Sequence, residues 1–165
     1  MSGFNLTYSR ALSVIKSENA NIPYPAVAQT GANTSIVAAF NLQDSNATFI
    51  TNSIAAGDIV YNITDGTAAM VVSVAGQQSL FMNADIFPSV GGTGKNYIIY
   101  QASSQTTIGN YGCYLYVGGA GNVVVDTIGS DLSITFAAVP VGTILPVQVK
   151  KLRSATTATN IIALW

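Results

Sequence analysis

The sequence predicts an all-β protein, and three observations lead to this class. Short apolar runs, most of them of strand length, recur along the chain and are separated by Gly, Asp, Ser and Pro. Apolar and polar residues alternate most clearly at Leu132, Ile134 and Phe136, which would share one face of a strand. The pair Asp65-Gly66 lies between two apolar runs and supplies positive φ at low cost, so it predicts a β-hairpin.

The N-terminal part of the chain predicts one short strand followed by a linker. Residues 11–15 are mostly apolar and predict a strand, with a helix as the alternative. Residues 17–21 have the composition of a turn, and Pro23 and Pro25 push the residues before them into an extended conformation. Residues 29–35 are small or polar, and they predict a loop before a second apolar region begins.

The middle of the chain predicts a strand-rich module. Strand-length apolar runs occur at residues 36–42, 57–62, 68–74, 80–87 and 97–100. Residues 44–50 also fit a single helical turn capped by Asp44 or Ser45, although their β-branched residues disfavour it. Residues 88–96 are rich in Gly and Pro and predict an exposed loop, and the polar residues 101–110 predict a second linker.

The tail, residues 112–165, holds most of the regular alternation in the chain. Its apolar runs occur at residues 114–117, 123–125, 132–136, 144–149 and 161–165. The turn at residues 139–142 suits a hairpin between the third and fourth runs, and the glycine-rich residues 118–121 predict another hairpin turn. Pro146 has no N–H to donate and is therefore expected at an edge or a bulge. The last run is apolar without alternation, which predicts a strand covered on both faces, with a neighbouring subunit as one candidate cover, and a docked Trp165.

Composition indicates a protein that assembles. A chain of 165 residues can form one ordinary domain or two small ones with a proper core. Only 8% of its residues are charged, against about 25% in a typical globular domain, while 49% are hydrophobic and the net charge is −1. Few charges are therefore available to keep copies of the chain apart, and dense assembly is the expected consequence.

The residue types usually needed for catalysis are scarce. The chain has no histidine, which removes the commonest general base and metal ligand, and its one cysteine, Cys113, cannot form an intrachain disulfide. The only neighbouring carboxylates are Asp58 with Asp65 and Asp126 with Asp131, and each pair flanks a turn. Neither spacing matches a calcium loop, and turn-forming aspartates are far commoner than a glycosidase pair. The sequence therefore predicts no enzyme, no catalytic residue, no metal and no cofactor.

Binding motifs for phosphate, nucleic acid and membranes are also lacking. The glycines at 118–121 are not followed by the Lys-Ser or Lys-Thr pair of a phosphate loop. The only basic cluster, Lys150, Lys151 and Arg153, is too small for strong neutralisation of a nucleic acid backbone, so we expect a solvated strand end or a contact with an acidic partner. No secretory signal and no membrane span are recognisable, which predicts assembly in the cytoplasm of the producing cell and no membrane partner. Tyrosines at 61, 97, 100 and 111 lie near predicted loops, and a sugar-stacking surface is an alternative to core positions for them.

Three motifs in the tail resemble one family of proteins. They are LYVGG at residues 115–119, VPxGTxLPVxVK at 139–150 and TTATxIxALW at 156–165. Together they span about fifty residues and are similar to a family of tailed-phage virion proteins that includes the head-spike base proteins of gene transfer agents. Residues 14–19 resemble the short strand and turn that precede LYVG in compact members, except that Glu18 stands where the family usually has Asp. A looser similarity, at residues 42–49 and 57–66, links the middle of the chain to a module of phage structural proteins.

The resemblance implies a domain organisation and a function. It implies a small antiparallel β-sandwich base domain made of residues 1–25 and 102–165, with residues 26–101 as an inserted β-barrel-like module. The implied function is that of a non-enzymatic virion structural protein, most simply a capsid decoration or cement protein that binds the major capsid protein. A tail, neck or vertex-spike base component and a host-carbohydrate-binding adhesin are the alternatives.

The expected partners are other virion proteins. We expect a homo-oligomer, a trimer or another ring, which is assembled in the host bacterial cytoplasm, resides in the virion and binds neither nucleic acid nor membrane. The apolar chain end and the basic cluster are the predicted assembly interface. Its residues are Ile161, Ile162, Leu164, Trp165, Lys150, Lys151 and Arg153.

Overall fold

The chain is built almost entirely of antiparallel strands, which confirms the predicted all-β class. The computed structural model describes residues 7–102, 112–130 and 132–165. These residues form two six-stranded antiparallel sheets, one of them curled into a half-barrel. The strands are β1 (Ala11–Ser13), β2 (Val27–Ala32), β3 (Asn41–Gln43), β4 (Ile59–Asn62), β5 (Thr67–Gly76), β6 (Ser79–Met82), β7 (Asn96–Tyr100), β8 (Cys113–Gly119), β9 (Gly121–Thr127), β10 (Ile134–Val139), β11 (Thr143–Leu152) and β12 (Thr159–Leu164). Within the described ranges, the one helical element is a single 3-10 turn at Ser89–Gly91.

The first sheet combines the two ends of the chain. Its strand order is β1-β12-β8-β11-β9-β10, so the strand predicted near the N-terminus adds to the strands of the tail. Alternating residues of β8, β9, β11 and β12 point to one face and form the core of this sheet. That core contains Ile22, Cys113, Leu115, Val117, Val123, Val125, Val139, Leu145, Val149, Leu152, Ala158, Ile161 and Ala163.

The glycine-rich stretch in the tail is a corner, and the prediction of a hairpin turn there was wrong. β8 and β9 follow each other directly, but they do not pair, because β11 lies between them in the sheet. The backbone of residues 157–160 crosses the corner at close range. A Cβ atom on Gly118 would lie 2.7 Å from the Asn160 carbonyl oxygen, and one on Gly121 would lie 2.5 Å from the Ala158 nitrogen. The glycines are therefore required for this crossing and not for a reversal of the chain.

The predicted hairpin between the runs at 132–136 and 144–149 was also wrong. β10 pairs with β9, whereas β11 pairs with β8 and β9. The turn at 140–142 carries the chain across to β8, where the Gly142 N–H donates to the Val117 carbonyl at 2.8 Å. Turn residues predict that a chain changes direction, but not which strand becomes its neighbour. Pro146 does lie where the register between β11 and β8 shifts, as predicted.

The second sheet is formed by one continuous part of the chain. Its strand order is β2-β7-β4-β5-β6-β3, and all its strands lie between Val27 and Tyr100. The predicted hairpin at Asp65-Gly66 joins β4 and β5, with Gly66 at φ 64°. Instead of the helical turn considered for residues 44–50, Asp44 accepts a hydrogen bond from the Asn46 N–H in a local turn.

β2 is the strand that the sequence did not predict. It covers most of the segment interpreted as a loop at residues 29–35, and it pairs with β7. Its composition lacks apolar alternation because the strand lies at the edge of the sheet. Gly31 within it has no room for a side chain, since a Cβ atom would collide with the Asp44 carboxylate and with the Tyr97 hydroxyl.

The two sheets meet through the segment between β1 and β2. Ile59, Tyr61 and Tyr100 of the second sheet pack with Ala20, and Leu12 and Ile15 cover the same cluster. The predicted second linker at 101–110 lies almost wholly outside the described residues.

The chain enters and leaves the second sheet at neighbouring positions. The Gln101 N–H donates to the Ala26 carbonyl at 3.0 Å, so these two residues lie side by side. The strands of the second sheet lie between residues 27 and 100, and those of the first sheet lie on either side of this range. The independence of the two units stays a prediction.

Candidate functional site

The apolar chain end predicted as an assembly interface is occupied by the chain itself. β12 lies between β1 and β8, and Ile161 points into the core of the first sheet. Ile162 and Leu164 are half-buried on the other face. The Trp165 ring packs edge-on against Tyr24 at 5.6 Å between centroids, and its backbone carbonyl accepts a hydrogen bond from the Ser9 N–H at 2.6 Å. Trp165 is thus docked on its own chain.

The basic cluster binds the segment that leads into the second sheet. Arg153 donates two hydrogen bonds to the Asp126 carboxylate, at 2.9 and 2.6 Å, and a third to Glu18 at 2.7 Å. Lys151 donates to the Glu18 backbone carbonyl at 3.2 Å, and the Lys150 carbonyl accepts from the Ile22 N–H at 2.9 Å. We call Arg153, Asp126 and Glu18 the arginine clamp. The structure brings the predicted basic residues together, and these contacts join them to Asp126 and to the segment at residues 18–22.

Within the arginine clamp, Arg153 and Glu18 each stabilise the charged form of the other. Hydrogen bonds from Arg153 and from the Ser154 N–H lower the pKa of Glu18, and those to Asp126 and Glu18 raise the pKa of Arg153. The two carboxylate oxygens of Glu18 accept from different donors, one from Arg153 at 2.7 Å and the other from the Ser154 N–H at 2.8 Å.

The two carboxylates of the Asp58–Asp65 pair have separate partners in the structure. Asp58 is fully buried and accepts hydrogen bonds from the Ala55 and Ala102 backbone amides, both at 2.9 Å. Asp65 lies beyond the far end of β4 and pairs with Lys95, whose hydrogen bond lowers the pKa of Asp65. Asp131, the predicted partner of Asp126, lies outside the described residues. Asp58 and Asp65 therefore act at opposite ends of one strand.

Neither a reactive thiol nor a metal cluster is found in the described ranges. Burial raises the pKa of the Cys113 thiol to about 12, so it stays protonated and unreactive at neutral pH. No group of three or more His, Cys, Asp or Glu side chains comes together among residues 7–102, 112–130 and 132–165. Cys113 is a buried hydrophobe here, as its sequence context indicates.

An exposed, uncharged strand edge closes one side of the first sheet. β10 is the last strand in the order, and all its side chains except Val139 and the half-buried Phe136 are exposed. Leu132 before it and Val141 after it are 78% and 62% exposed. No charged residue occurs from residue 132 to residue 149. We call residues 132–141 the β10 edge.

A shallow polar depression lies on the second sheet. Its lining consists of small, hydroxyl, amide and carboxylate side chains from three segments: Thr30, Gly31, Ala32, Asn33, Thr34, Asp44, Asn46, Thr93 and Gly94. Asp44 is almost fully buried beneath it and accepts a hydrogen bond from the Tyr97 hydroxyl at 2.7 Å. Burial and this bond to Asp44 raise the pKa of Tyr97.

The tyrosines considered for sugar stacking do not provide an exposed ring in the described residues. Tyr61, Tyr97 and Tyr100 are buried in the packed interior, and Tyr111 lies outside the described residues. Tyr61 and Tyr100 pack edge-to-face at 5.3 Å in the join between the sheets. They contribute to packing and not to an exposed aromatic platform.

Comparison with known proteins finds no protein-family model, no curated protein and no solved structure that matches this chain. The resemblance to phage head-spike base proteins therefore rests on the three tail motifs. Among the described residues, no helix has both the length and the apolar character needed to cross a membrane.

Proposed function

We propose that the chain is a non-enzymatic virion structural protein that decorates a phage capsid by binding the major capsid protein. The observation that carries this proposal is the near-neutral surface. The tail motifs suggest the virion as the place where the protein resides.

Many of the few charged side chains are paired with each other or buried. Glu18 and Asp126 pair with Arg153, and Asp65 pairs with Lys95. Two further carboxylates, those of Asp44 and Asp58, are buried and accept hydrogen bonds from within the chain. These five carboxylates thus serve as partners for groups of the same chain.

Several large apolar side chains are exposed on the surface of the protein. Val90 is 98% exposed in the loop before β7, and Val37 is 67% exposed before β3. Such residues suit burial against another protein, because apolar area removed from water stabilises the complex. A ligand that binds only the assembled shell raises the stability of that shell by mass action, and this is the mechanical role of a decoration protein.

The copy number in purified particles tests this proposal. Quantitative mass spectrometry should find this chain in amounts comparable to the major capsid protein. Adding the purified protein back to particles stripped of it should raise their disruption temperature. A copy number that matches one tail or a set of vertices would instead support the neck or spike alternative, and absence from particles would overturn a virion role.

The polar depression favours one second candidate, a carbohydrate-binding adhesin. Its exposed lining of hydroxyl and amide groups at Thr34, Asn46 and Thr93 matches the hydrogen-bonding groups of a neutral glycan. A glycan array that gives binding above background, and loses it in a Thr34→Ala/Asn46→Ala variant, would support this candidate. An array with no binding would dispose of it.

A further inference from the structure

We propose that the β10 edge is a self-association surface at which two copies of this chain pair β10 with β10 in antiparallel orientation. This inference rests on the assembly part of the proposed function and names the partner for one surface. It does not depend on the position of the protein in a particle.

The backbone of β10 offers one free hydrogen-bonding side. Ile134 pairs with Val125 and Phe136 pairs with Val123, so the inner side of β10 is used by β9. No strand of the described residues lies on its outer side. The N–H and C=O groups there are a template for a further strand.

The β10 edge lacks most of the devices that usually prevent such pairing. Proteins protect edge strands with charges, prolines, shortness or bulges. β10 spans six residues and contains neither a charge nor a proline. Its one irregularity is the register shift after Phe136, near Ala138 at φ 49°. The stretch up to Phe136 remains regular and open.

The other sheet edges are better protected. β1 and β3 have only three residues each. The exposed Arg10 lies next to β1. β2 has six residues, as β10 has, and it also contains a register shift. β10 differs from β2 in its large apolar side chains, Ile134 and Phe136, which a further strand would cover.

A second copy fits this edge better than a charged partner does. In a two-fold pairing centred on Thr135, Ile134 of one copy lies opposite Phe136 of the other. Residues 132–141 contain no charged side chain, so self-pairing brings no like charges together. A partner with a charged strand finds no complementary charge on β10, whereas the identical strand offers the same apolar residues, Ile134 and Phe136, without charge repulsion.

The contact also covers exposed apolar area beside the strand. Leu132, at 78% exposure, lies at one end of the β10 edge, and Val141, at 62%, lies at the other. Antiparallel pairing brings the Leu132 end of one copy toward the Val141 end of the other. A two-fold contact of this kind forms a dimer by itself, in contrast to the trimer or ring expected from the sequence.

A charge placed on the two-fold axis tests the inference. We expect analytical ultracentrifugation of the full chain to show reversible dimers of the 17.1 kDa protomer. Thr135→Lys should weaken the dimer at least about tenfold, because two ammonium groups would face each other across the axis. The matched control is Ser73→Lys, which adds the same charge at an exposed position of β5 and should leave the dimer intact.

Cysteine cross-linking tests the register independently of affinity. Under mild oxidation Thr135→Cys should form a disulfide-linked dimer faster than Ser133→Cys or Ala137→Cys, while Ser73→Cys should stay monomeric on denaturing gels. A monomeric native chain at high concentration, or a dimer that Thr135→Lys leaves unchanged, would overturn the inference. If that monomer still binds stripped particles, the proposed function survives without self-pairing at β10.

Discussion

The two sheets differ in how far apart in sequence their strands lie. The first sheet joins β1 to β12, with Ala11 opposite Leu164, and it needs both ends of the chain before it is complete. The second sheet takes all its strands from one continuous segment and has its own core, which includes Phe49, Phe87 and Tyr97. Because long-range pairing requires larger loops to close, the two sheets should respond differently when the chain is cut.

Removal of the chain end should have the largest effect on the first sheet. Deletion of residues 161–165 takes away most of β12, which is the partner of both β1 and β8, and opens the core around Ile161 and Ala163. We expect loss of cooperative unfolding for the first sheet and protection of residues 27–100 in hydrogen exchange. Trp165→Ala, which removes only the ring, should fold. A soluble, cooperatively folded deletion variant would show that β12 is dispensable.

The second sheet should fold without the first. A fragment of residues 26–101 contains all six strands and the second core, so circular dichroism should show a β-protein that unfolds cooperatively. It should be less stable than in the full chain because Ile59, Tyr61 and Tyr100 lose their cover. In the reciprocal variant, a short Gly-Ser bridge across Ala26 and Gln101 should leave the first sheet folded. An unfolded fragment would argue that the chain is one unit.

Breaking the arginine clamp should weaken the first sheet by an intermediate amount. Arg153→Ala leaves the Asp126 carboxylate, which is only 5% exposed, without its two charged hydrogen bonds. We expect a loss of about 2–3 kcal/mol in the free energy of unfolding. Arg10→Ala is the control, because Arg10 lies exposed over the Tyr24 ring, and its removal should cost about 0.5 kcal/mol. Equal losses in urea titrations of the two variants would contradict a special role for the clamp.

Glu18 should give the smallest effect, and one that depends on pH. Its pKa in the folded chain lies below the ordinary value of 4.5, so its contribution is fully present above pH 4.5 and is lost as pH falls through the folded pKa. Since Glu18 is 49% exposed, the difference in unfolding free energy between the native chain and Glu18→Gln should be under about 1 kcal/mol at pH 7. That difference should shrink below pH 4.5. A difference that stays constant down to pH 2 would show that Glu18→Gln lowers stability through packing and not through charge.

Short-range patterns in the sequence were sufficient to predict most strands and one hairpin. Apolar runs placed β8 and β9 correctly, and Asp65-Gly66 identified the turn between β4 and β5 because only local φ angles are involved. The neighbours of β8 and β10 could not be predicted, since pairing in a curled sheet depends on residues far apart. β2 was missed because edge strands need no alternation.

The partners of the predicted interface residues could not be predicted from short-range patterns either. Arg153 lies 27 residues from Asp126 and 135 from Glu18, so the basic cluster gave no sign of its internal partners. The β10 edge was visible in the sequence as an uncharged stretch, but its exposure became apparent only from the strand order.

Because Ala26 and Gln101 lie side by side, the first sheet has a point at which a separate module can be inserted. A segment that leaves and returns within one hydrogen bond, at 3.0 Å, imposes almost no constraint on the size of what lies between. Any module whose own termini are adjacent could be grafted there without stretching the surrounding strands.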